Sequence, residues 1–242
     1  VKTNKKQFSV SKLEQSRFFN RACFSLREAL KADNSSGIIA EFKKASPSKG
    51  SINALAKVED VTTGYVKNGA CALSVLTDVK YFEGANQYLV NARKINDCPI
   101  LRKDFIIDEY QILEAKSLGA DVILLIAAGL KPLQVKSLAG FAKSLGLEVL
   151  LEIHSEDELW AINENIDIVG VNNRDLKTFR VDIQSSVKLS SRIPDRFVKI
   201  SESGISSAKA INKLLTYGYR GFLIGEAFMS KPDPPKALAK LV

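Results

Sequence analysis

Short apolar runs rich in Val, Ile and Leu recur along the chain, and most carry polar residues at or near their C-terminal end: GIIAEF (37–42), ALSVLT (72–77), PILRKDF (99–105), VILLIAA (122–128), EVLLEI (148–153), IVGVNN (168–173), VKISES (198–203) and GFLIGE (221–226). Their length and composition predict eight strands buried on both faces. Helix-period segments lie between the later ones, at 108–118, 131–145, 156–165, 182–191 and 206–217. Ser155-Glu156-Asp157-Glu158 reads as a capping box opening a helix straight after the fifth strand, and Ser25-Leu26-Arg27-Glu28 as another before the first. Gly119, Gly146 and Gly218 stand where helices should stop. Eight alternating strand–helix units without a linker predict a closed (β/α)8 barrel of the TIM type, with an open doubly wound sheet as the other topology of this pattern. The expected organisation is a single barrel domain over 1–242, in which 1–34 form an N-terminal helical extension and 35–242 the barrel.

A chain of 242 residues suits one such barrel, and its longest apolar stretch, 122–128, is far too short to span a membrane. The first residues carry lysines with no apolar segment behind them, so no secretory signal is read. Met229 is the only methionine, which leads us to expect an N-terminus trimmed relative to the gene product. Cys23, Cys71 and Cys98 are odd in number and widely spaced, as for thiols in a reducing compartment, and a cytoplasmic location is expected. The net charge of +8 suits an anionic partner. Basic residues never run longer than two together and no aromatic nucleic-acid motif accompanies them, so a phosphorylated metabolite is favoured over nucleic acid. No zinc spacing, dinucleotide glycine motif, P-loop or serine-hydrolase elbow occurs; neither a metal nor a cofactor is expected.

In a barrel the active site lies at the C-terminal ends of the strands. Glu41 and Lys43 end strand one on the same face, Lys103 ends strand three, Glu152 strand five, Asn172 strand six, and Glu202 with Ser203 strand seven. Lysines and carboxylates converging on one mouth are the equipment for acid–base work at a carbonyl: an ammonium donates to a developing oxyanion while a carboxylate removes a proton. Charged strand ends also simply pair or solvate loops; the repetition across five strands favours chemistry. The loops around Gly204 and around Gly225 with Glu226 suit a phosphate held by backbone N–H groups, and Ser46-Pro47-Ser48-Lys49-Gly50 forms a polar loop able to close over it. His154, the only histidine, is assigned to the opposite face of its strand end from Glu152, with a packing or capping role.

The segments IAEFKKASPSKG (39–50) and LRKDFI (101–106) resemble indole-3-glycerol phosphate synthase, and SVLTD (74–78), LEIH (151–154), VGVNNRDL (169–176), SESGI (201–205) and IGEAFM (224–229) look like further blocks of that family in its order. The resemblance implies ring closure of 1-(2-carboxyphenylamino)-1-deoxyribulose 5-phosphate to indole-3-glycerol phosphate, with loss of CO2 and water, in tryptophan biosynthesis and without a cofactor. By the family's pattern Lys103 is the general acid of ring closure, Glu152 the carboxylate near the anilino nitrogen, and Glu41 with Lys43 a second acid–base pair used around dehydration. Asn172 and Ser203 would orient polar groups of the substrate, Arg174 would meet its carboxylate and Phe105 would wall its aromatic ring. Gly204, Gly225 and the N–H of Glu226, with Lys43 and Ser46, would hold the phosphate, and Glu202 is taken as a substrate contact. A lysine near its ordinary pKa of about 10.4 donates sluggishly, but flanking carboxylates keep it charged beside the oxyanion. A monomer, or at most a weak dimer, is expected.

Two departures from the family stand out. Its members usually begin with a longer extension that helps cover the phosphate end, so a trimmed chain is expected to bind substrate less well. Position 173 is Asn where some members carry Ser. The competing readings are a sister barrel such as a phosphoribosyl isomerase, which would share the phosphate loops but not 39–50 or 101–106, and a non-catalytic RNA-binding barrel prompted only by the charge.

Overall fold

The computed structural model describes residues 1–242, except for the side chain of Lys2. Eight parallel strands close into a barrel: β1 (Ile38–Phe42), β2 (Ala72–Leu76), β3 (Ile100–Lys103), β4 (Val122–Ile126), β5 (Glu148–Ile153), β6 (Ile168–Asn172), β7 (Val198–Glu202) and β8 (Tyr219–Ile224). Each pairs with its neighbours in sequence, and β8 closes onto β1 with Ile38 opposite Phe222 and Ala40 opposite Ile224. The open-sheet alternative is thereby excluded.

Strand alternation sorts the side chains into two cores. Ile39, Ala72, Leu101, Val122, Leu124, Leu150, Ile168, Val198, Ile200 and Leu223 fill the barrel interior, whereas Ile38, Ala40, Phe42, Leu73, Val75 and their equivalents pack outward against the helices. Interior parity continues past the apolar layer. Ile39 is followed at every second position by Glu41 and Lys43, Leu101 by Lys103, Leu150 by Glu152, and Ile200 by Glu202. The same alternation that buries the core thus aims the ionisable groups into the C-terminal mouth.

The helices of the outer ring are α4 (Val58–Lys67), α6 (Asn86–Ile95), α7 (Glu109–Leu118), α8 (Pro132–Ser144), α9 (Gln184–Leu189), α10 (Ala208–Leu215) and α12 (Pro234–Ala239), with short helices α5 (Val79–Phe82) and α11 (Glu226–Met229) in the loops after β2 and β8. α4 and α6 are not among the predicted segments, although α4 turns Val58, Val61 and Tyr65 inward with Glu59 and Asp60 in its first turn, as the helix dipole favours. α7 stops at Gly119, whose φ of +94° is the left-handed conformation glycine tolerates best and whose missing Cβ leaves room for Arg93.

The helix expected over 156–165 is shorter: a 3-10 helix spans Glu156–Ala161, and Ser155 makes no side-chain cap. The reason is local. Glu158, which would complete the box at Ser155, instead accepts the backbone N–H of His154 at 2.7 Å. At Ser25 the serine half of the box does form, its Oγ accepting from Glu28 N.

The N-terminal extension holds α1 (Lys2–Gln7), α2 (Val10–Glu14) and α3 (Leu26–Lys31). Its first part lies along α7, where Tyr110 Oη donates to the carbonyls of Asn4 and Phe8. The chain then passes to the N-terminal ends of the strands: Asp121 accepts from Arg21 and from Phe24 N, Glu148 accepts from Arg27 N, and Leu26 and Leu30 plug the barrel interior. The extension thus runs from the start of α7, where Lys5 pairs with Asp108 at 2.8 Å on the side of the C-terminal strand ends, to the opposite end of the barrel, whose floor Leu26 and Leu30 close.

Candidate active site

A cleft of about 1010 Å³ opens at the C-terminal mouth, and Glu41, Lys43, Ser46, Lys103, Phe105, Glu152, Asn172, Arg174, Glu202, Ser203, Gly204, Gly225 and Glu226 all line it. Every residue singled out from the sequence therefore meets at one place.

The centre of the cleft is Lys103. Its Nζ lies 2.9 Å from Glu152 Oε2 and 3.3 Å from Glu202 Oε2, both carboxylates being almost wholly buried. Burial alone would favour the neutral amine, but Glu152, Glu202 and Glu41 outweigh it and hold the ammonium charged. The two carboxylates differ. Burial would raise Glu152 as well, yet Lys103, His154 and the Asn172 amide at 3.1 Å keep it well below the usual carboxylate range. Glu202 is pushed up to about 7, first by burial and then, against the pull of Lys103, by Glu152 and Glu41. Its Oε1 is buried without a hydrogen-bond partner. One ionised carboxylate and one that titrates near neutrality on a single ammonium separate the roles of base and acid.

Beside this triad, Lys43 Nζ pairs with Glu41 Oε1 at 2.9 Å, and Ser74 Oγ stands 3.5 Å from Glu41 Oε2. Gly225 is close by because nothing larger fits: a Cβ there would fall 2.4 Å from Glu41 Oε1. The loop after β1 folds into a small antiparallel hairpin, Ala45–Ser46 with Gly50–Ser51, which buries Ser46. Ser203 takes a left-handed φ of +67°, a costly conformation for a non-glycine residue. Asn173 holds it there: Nδ2 donates to Ser203 O at 3.0 Å and to Ser201 Oγ, while Oδ1 accepts from Ser186 Oγ. The asparagine that departs from some of the family thus has a defined structural role. Gly204 follows with φ +75°, so backbone rather than side chain faces this side of the cleft.

Arg174 reaches Ser48 Oγ at 3.2 Å and Glu226 Oε2 at 3.4 Å, which ties the loop after β6 to those after β1 and β8. Phe105 is half exposed and stacks edge-on with Tyr81 and tilted with Phe82. Tyr81 and Phe82 extend the Phe105 wall, and on the loop after β6, diametrically opposite β2, Leu176 and Phe179 add further apolar lining; the sequence reading missed all four. For Tyr81 and Phe82 the available signal was a pair of consecutive aromatics beginning three residues past Asp78 at the end of the second strand.

His154 is not on the opposite face from Glu152. It stands two residues further along, so it shares the interior parity, and its Nε2 lies 3.3 Å from Glu152 Oε1. The other ring nitrogen, Nδ1, lies 3.3 Å from Glu158 Oε2.

The sequence profile of the family described as "Indole-3-glycerol phosphate synthase" matches residues 1–241. The chain belongs to that family. It is 49% identical over 238 residues to the "Indole-3-glycerol phosphate synthase" of Bacteroides thetaiotaomicron, covering 98% of this chain and 91% of that one. It is 45% identical over 240 residues to the protein of the same name from Carboxydothermus hydrogenoformans, with 97% and 91% covered. Among solved structures, a thiamine phosphate pyrophosphorylase from Pyrococcus furiosus superposes with a TM-score of 0.65 at 16% identity, over 90% of this chain and 96% of that one. A 3-hexulose-6-phosphate synthase from Salmonella typhimurium gives 0.67 at 13% identity, over 85% and 97%. At these identities the structures speak for the barrel alone. The family membership makes the chain a carboxy-lyase of tryptophan biosynthesis and sets aside the isomerase and RNA-binding alternatives. No helix among the described residues is long and apolar enough to cross a membrane.

Proposed function

We propose that the indole-3-glycerol phosphate synthase reaction runs on the Lys103–Glu152–Glu202 cluster. The observation that carries this reading is a charged ammonium held between two buried carboxylates in a cleft lined by apolar side chains and glycine loops. The substrate's phosphate is held by backbone N–H groups around Gly204, Gly225 and Glu226, with Lys43 and Ser46 beside them. Its carboxyphenyl ring rests against Phe105, with Arg174 toward the carboxylate as a fork-shaped donor.

In ring closure the ring carbon bearing the carboxylate forms a bond to the ketone carbon, and Lys103 gives its proton to the ketone oxygen as negative charge develops there. The bond to the carboxylate then breaks, CO2 leaves, and its electron pair restores the ring. In the last step the hydroxyl leaves as water with a proton from an acid, the lone pair of the anilino nitrogen assists its departure, and a base takes a proton from the methylene carbon beside that nitrogen, so the product indole keeps its N–H. Glu152 faces that nitrogen, Glu202 is poised near neutrality to exchange a proton with the cluster, and Glu41 with Lys43 forms the second acid–base pair. Asn172 and Ser203 orient the substrate's hydroxyls.

The natural partner is the phosphorylated substrate, and we take the chain to act as a monomer, or at most a weak dimer, in the cytoplasm. Three free thiols suit a reducing compartment, and burial pushes Cys98 up to about 12 and raises Cys71, so neither is a ready nucleophile.

The test is the appearance of indole fluorescence when the protein meets 1-(2-carboxyphenylamino)-1-deoxyribulose 5-phosphate. The native chain should turn over, and Lys103→Ala should lose on the order of 10²–10⁴-fold in kcat. Unchanged turnover in Lys103→Ala would remove the acid assigned to ring closure.

A further inference from the structure

One ionisable chain crosses the cleft floor and leaves it at a group that the reaction scheme does not use. Glu202, Lys103, Glu152, His154 and Glu158 follow one another with alternating charge, at 3.3, 2.9, 3.3 and 3.3 Å. The first three meet at the proposed reaction centre. His154 and Glu158 stand behind Glu152, both mostly buried.

The geometry at the ring is selective. Nδ1 faces Glu158 Oε2 and Nε2 faces Glu152 Oε1, so a carboxylate oxygen confronts each nitrogen. A neutral imidazole has one N–H and one lone pair, and either tautomer would set that lone pair against a carboxylate. Only the imidazolium suits both sides. Glu158 is itself immobilised, because the same Oε2 accepts the backbone N–H of His154, the contact that diverts it from capping the following helix. Around the ring, the adjacent strand β6 presents the Asn172 amide, the turn Ala127–Gly129 carries no charged side chain, and the 3-10 helix that holds Glu158 also carries Glu156 and Asp157, both exposed.

We propose that His154, clamped as an imidazolium between Glu158 and Glu152, is a positioning residue that keeps Glu152 ionised and oriented with its other oxygen on the Lys103 ammonium. The inference rests on the reading of Glu152 as an acid–base group of the reaction. Nε2 approaches Glu152 without hydrogen-bond alignment, so its contribution is charge at short range, while the Asn172 amide supplies the directional bond to the same oxygen. The electrostatics agree with the geometry. Burial would lower the imidazolium's pKa, but the two carboxylates reverse this and hold it up at about 10.

His154 is the only histidine in the chain, so NMR of protein labelled with 15N-histidine reports this ring alone. Both ring nitrogens are expected to be protonated at pH 8, and Glu152→Gln should lower the titration midpoint by about one unit or more. His154→Gln should lower kcat on the order of tenfold, part of the ~10²–10⁴-fold range for acid–base groups, with KM within about twofold. The acid limb of its kcat–pH profile should move to higher pH, because the cluster takes up a proton more readily without the imidazolium. Glu158→Gln should lower the ring's midpoint by less, and because the ring then stays protonated across the acid limb, that limb should not move to higher pH.

A neutral ring at pH 8, a midpoint indifferent to Glu152→Gln, or an unchanged kcat–pH profile in His154→Gln would each overturn the proposal. Should His154→Gln fail to fold, the native ring's titration and its response to Glu152→Gln decide it. Full turnover in Glu152→Gln would instead overturn the acid–base reading of Glu152 and any catalytic consequence of the clamp, whereas the ring titration, read without turnover, judges the clamp separately.

Discussion

A Cβ on Gly170 would fall 2.4 Å from Glu202 Oε1. Gly170 lies on β6, opposite Glu152 on β5 in the sheet register, with β7 and Glu202 on its other side. The strand between the two carboxylates is therefore stripped of a side chain where they converge on Lys103. Gly170→Ala should force Glu202 off the ammonium, and since Leu150 and Ile200 crowd the same point at 3.1 and 3.3 Å, the methyl has no alternative site. The expected outcome is a kcat loss of about tenfold or more with a stability cost of ~1–3 kcal/mol for overpacking. Steady-state kinetics beside urea unfolding checks it; native kcat in a folded Gly170→Ala would show that Glu202 can shift without consequence.

The raised pKa of Glu202 gives stability a definite pH dependence. Unfolded, the carboxyl titrates at its ordinary value of 4.5; folded, it holds its proton to about 7. Between those values the folded state binds more protons, so its advantage is complete below 4.5 and is lost as pH rises through 7. The ionised form at pH 8 then costs on the order of 3 kcal/mol relative to the protonated one. Glu202→Gln removes this dependence. It should be more stable than the native chain at pH 8, nearly equal at pH 5, and poorly active at both. Parallel denaturation curves at the two pH values test the sign, and an equal stability difference at both would refute the assignment.

Much of this site is written in strand parity. Once the apolar runs were taken as strands ending in a barrel mouth, alternation from Ile39, Leu101, Leu150 and Ile200 was enough to turn Glu41, Lys103, Glu152 and Glu202 inward. His154 obeys the same alternation, and its assignment to the other face departed from the parity rule itself. The apolar lining is different in kind. Tyr81, Phe82, Leu176 and Phe179 sit in loops whose path is fixed by contacts between distant segments, such as Arg174 with Ser48, and no periodicity records those. The path of the extension is illegible for a similar reason: where it closes the barrel floor depends on Asp121 and Glu148, more than ninety residues away in sequence. The helix expected over 156–165 is cut short by a local competitor that the capping pattern does not record: the His154 N–H and ring take the capping glutamate.

Asp121 is fully buried and accepts from Arg93, Arg21, Phe24 N and Ile100 N. Removing it leaves the buried Arg93 guanidinium with the carbonyls of Asn96 and Cys98 but no counter-charge, and loosens the extension's hold on the barrel floor. Asp121→Ala should cost about 3–5 kcal/mol, the penalty for one partner of a buried pair, while molecules that remain folded at low temperature keep their kcat because the residue lies at the end remote from the cleft. Thermal unfolding and kinetics at low temperature check both halves. A large kcat loss in the folded variant would mean that the floor communicates with the mouth.

Arg174 supplies two contacts that hold loops together and is proposed to turn toward the substrate carboxylate, which makes its geometry as important as its charge. Its Nη1 and Nη2 meet Ser48 and Glu226 separately, an arrangement that a single ammonium does not reproduce. Charge-assisted hydrogen bonds contribute ~1.5–3 kcal/mol, so Arg174→Ala should lose roughly 10–100-fold in kcat/KM, and Arg174→Lys should recover little of it. The carboxylate assignment has its own control in a substrate analogue lacking that group. The native chain should bind the analogue more weakly than the carboxylated ligand, and Arg174→Ala should bind the two nearly alike. Equal discrimination by both proteins in a calorimetric titration would transfer the carboxylate to another cation of the cleft, with Lys43 the first to examine.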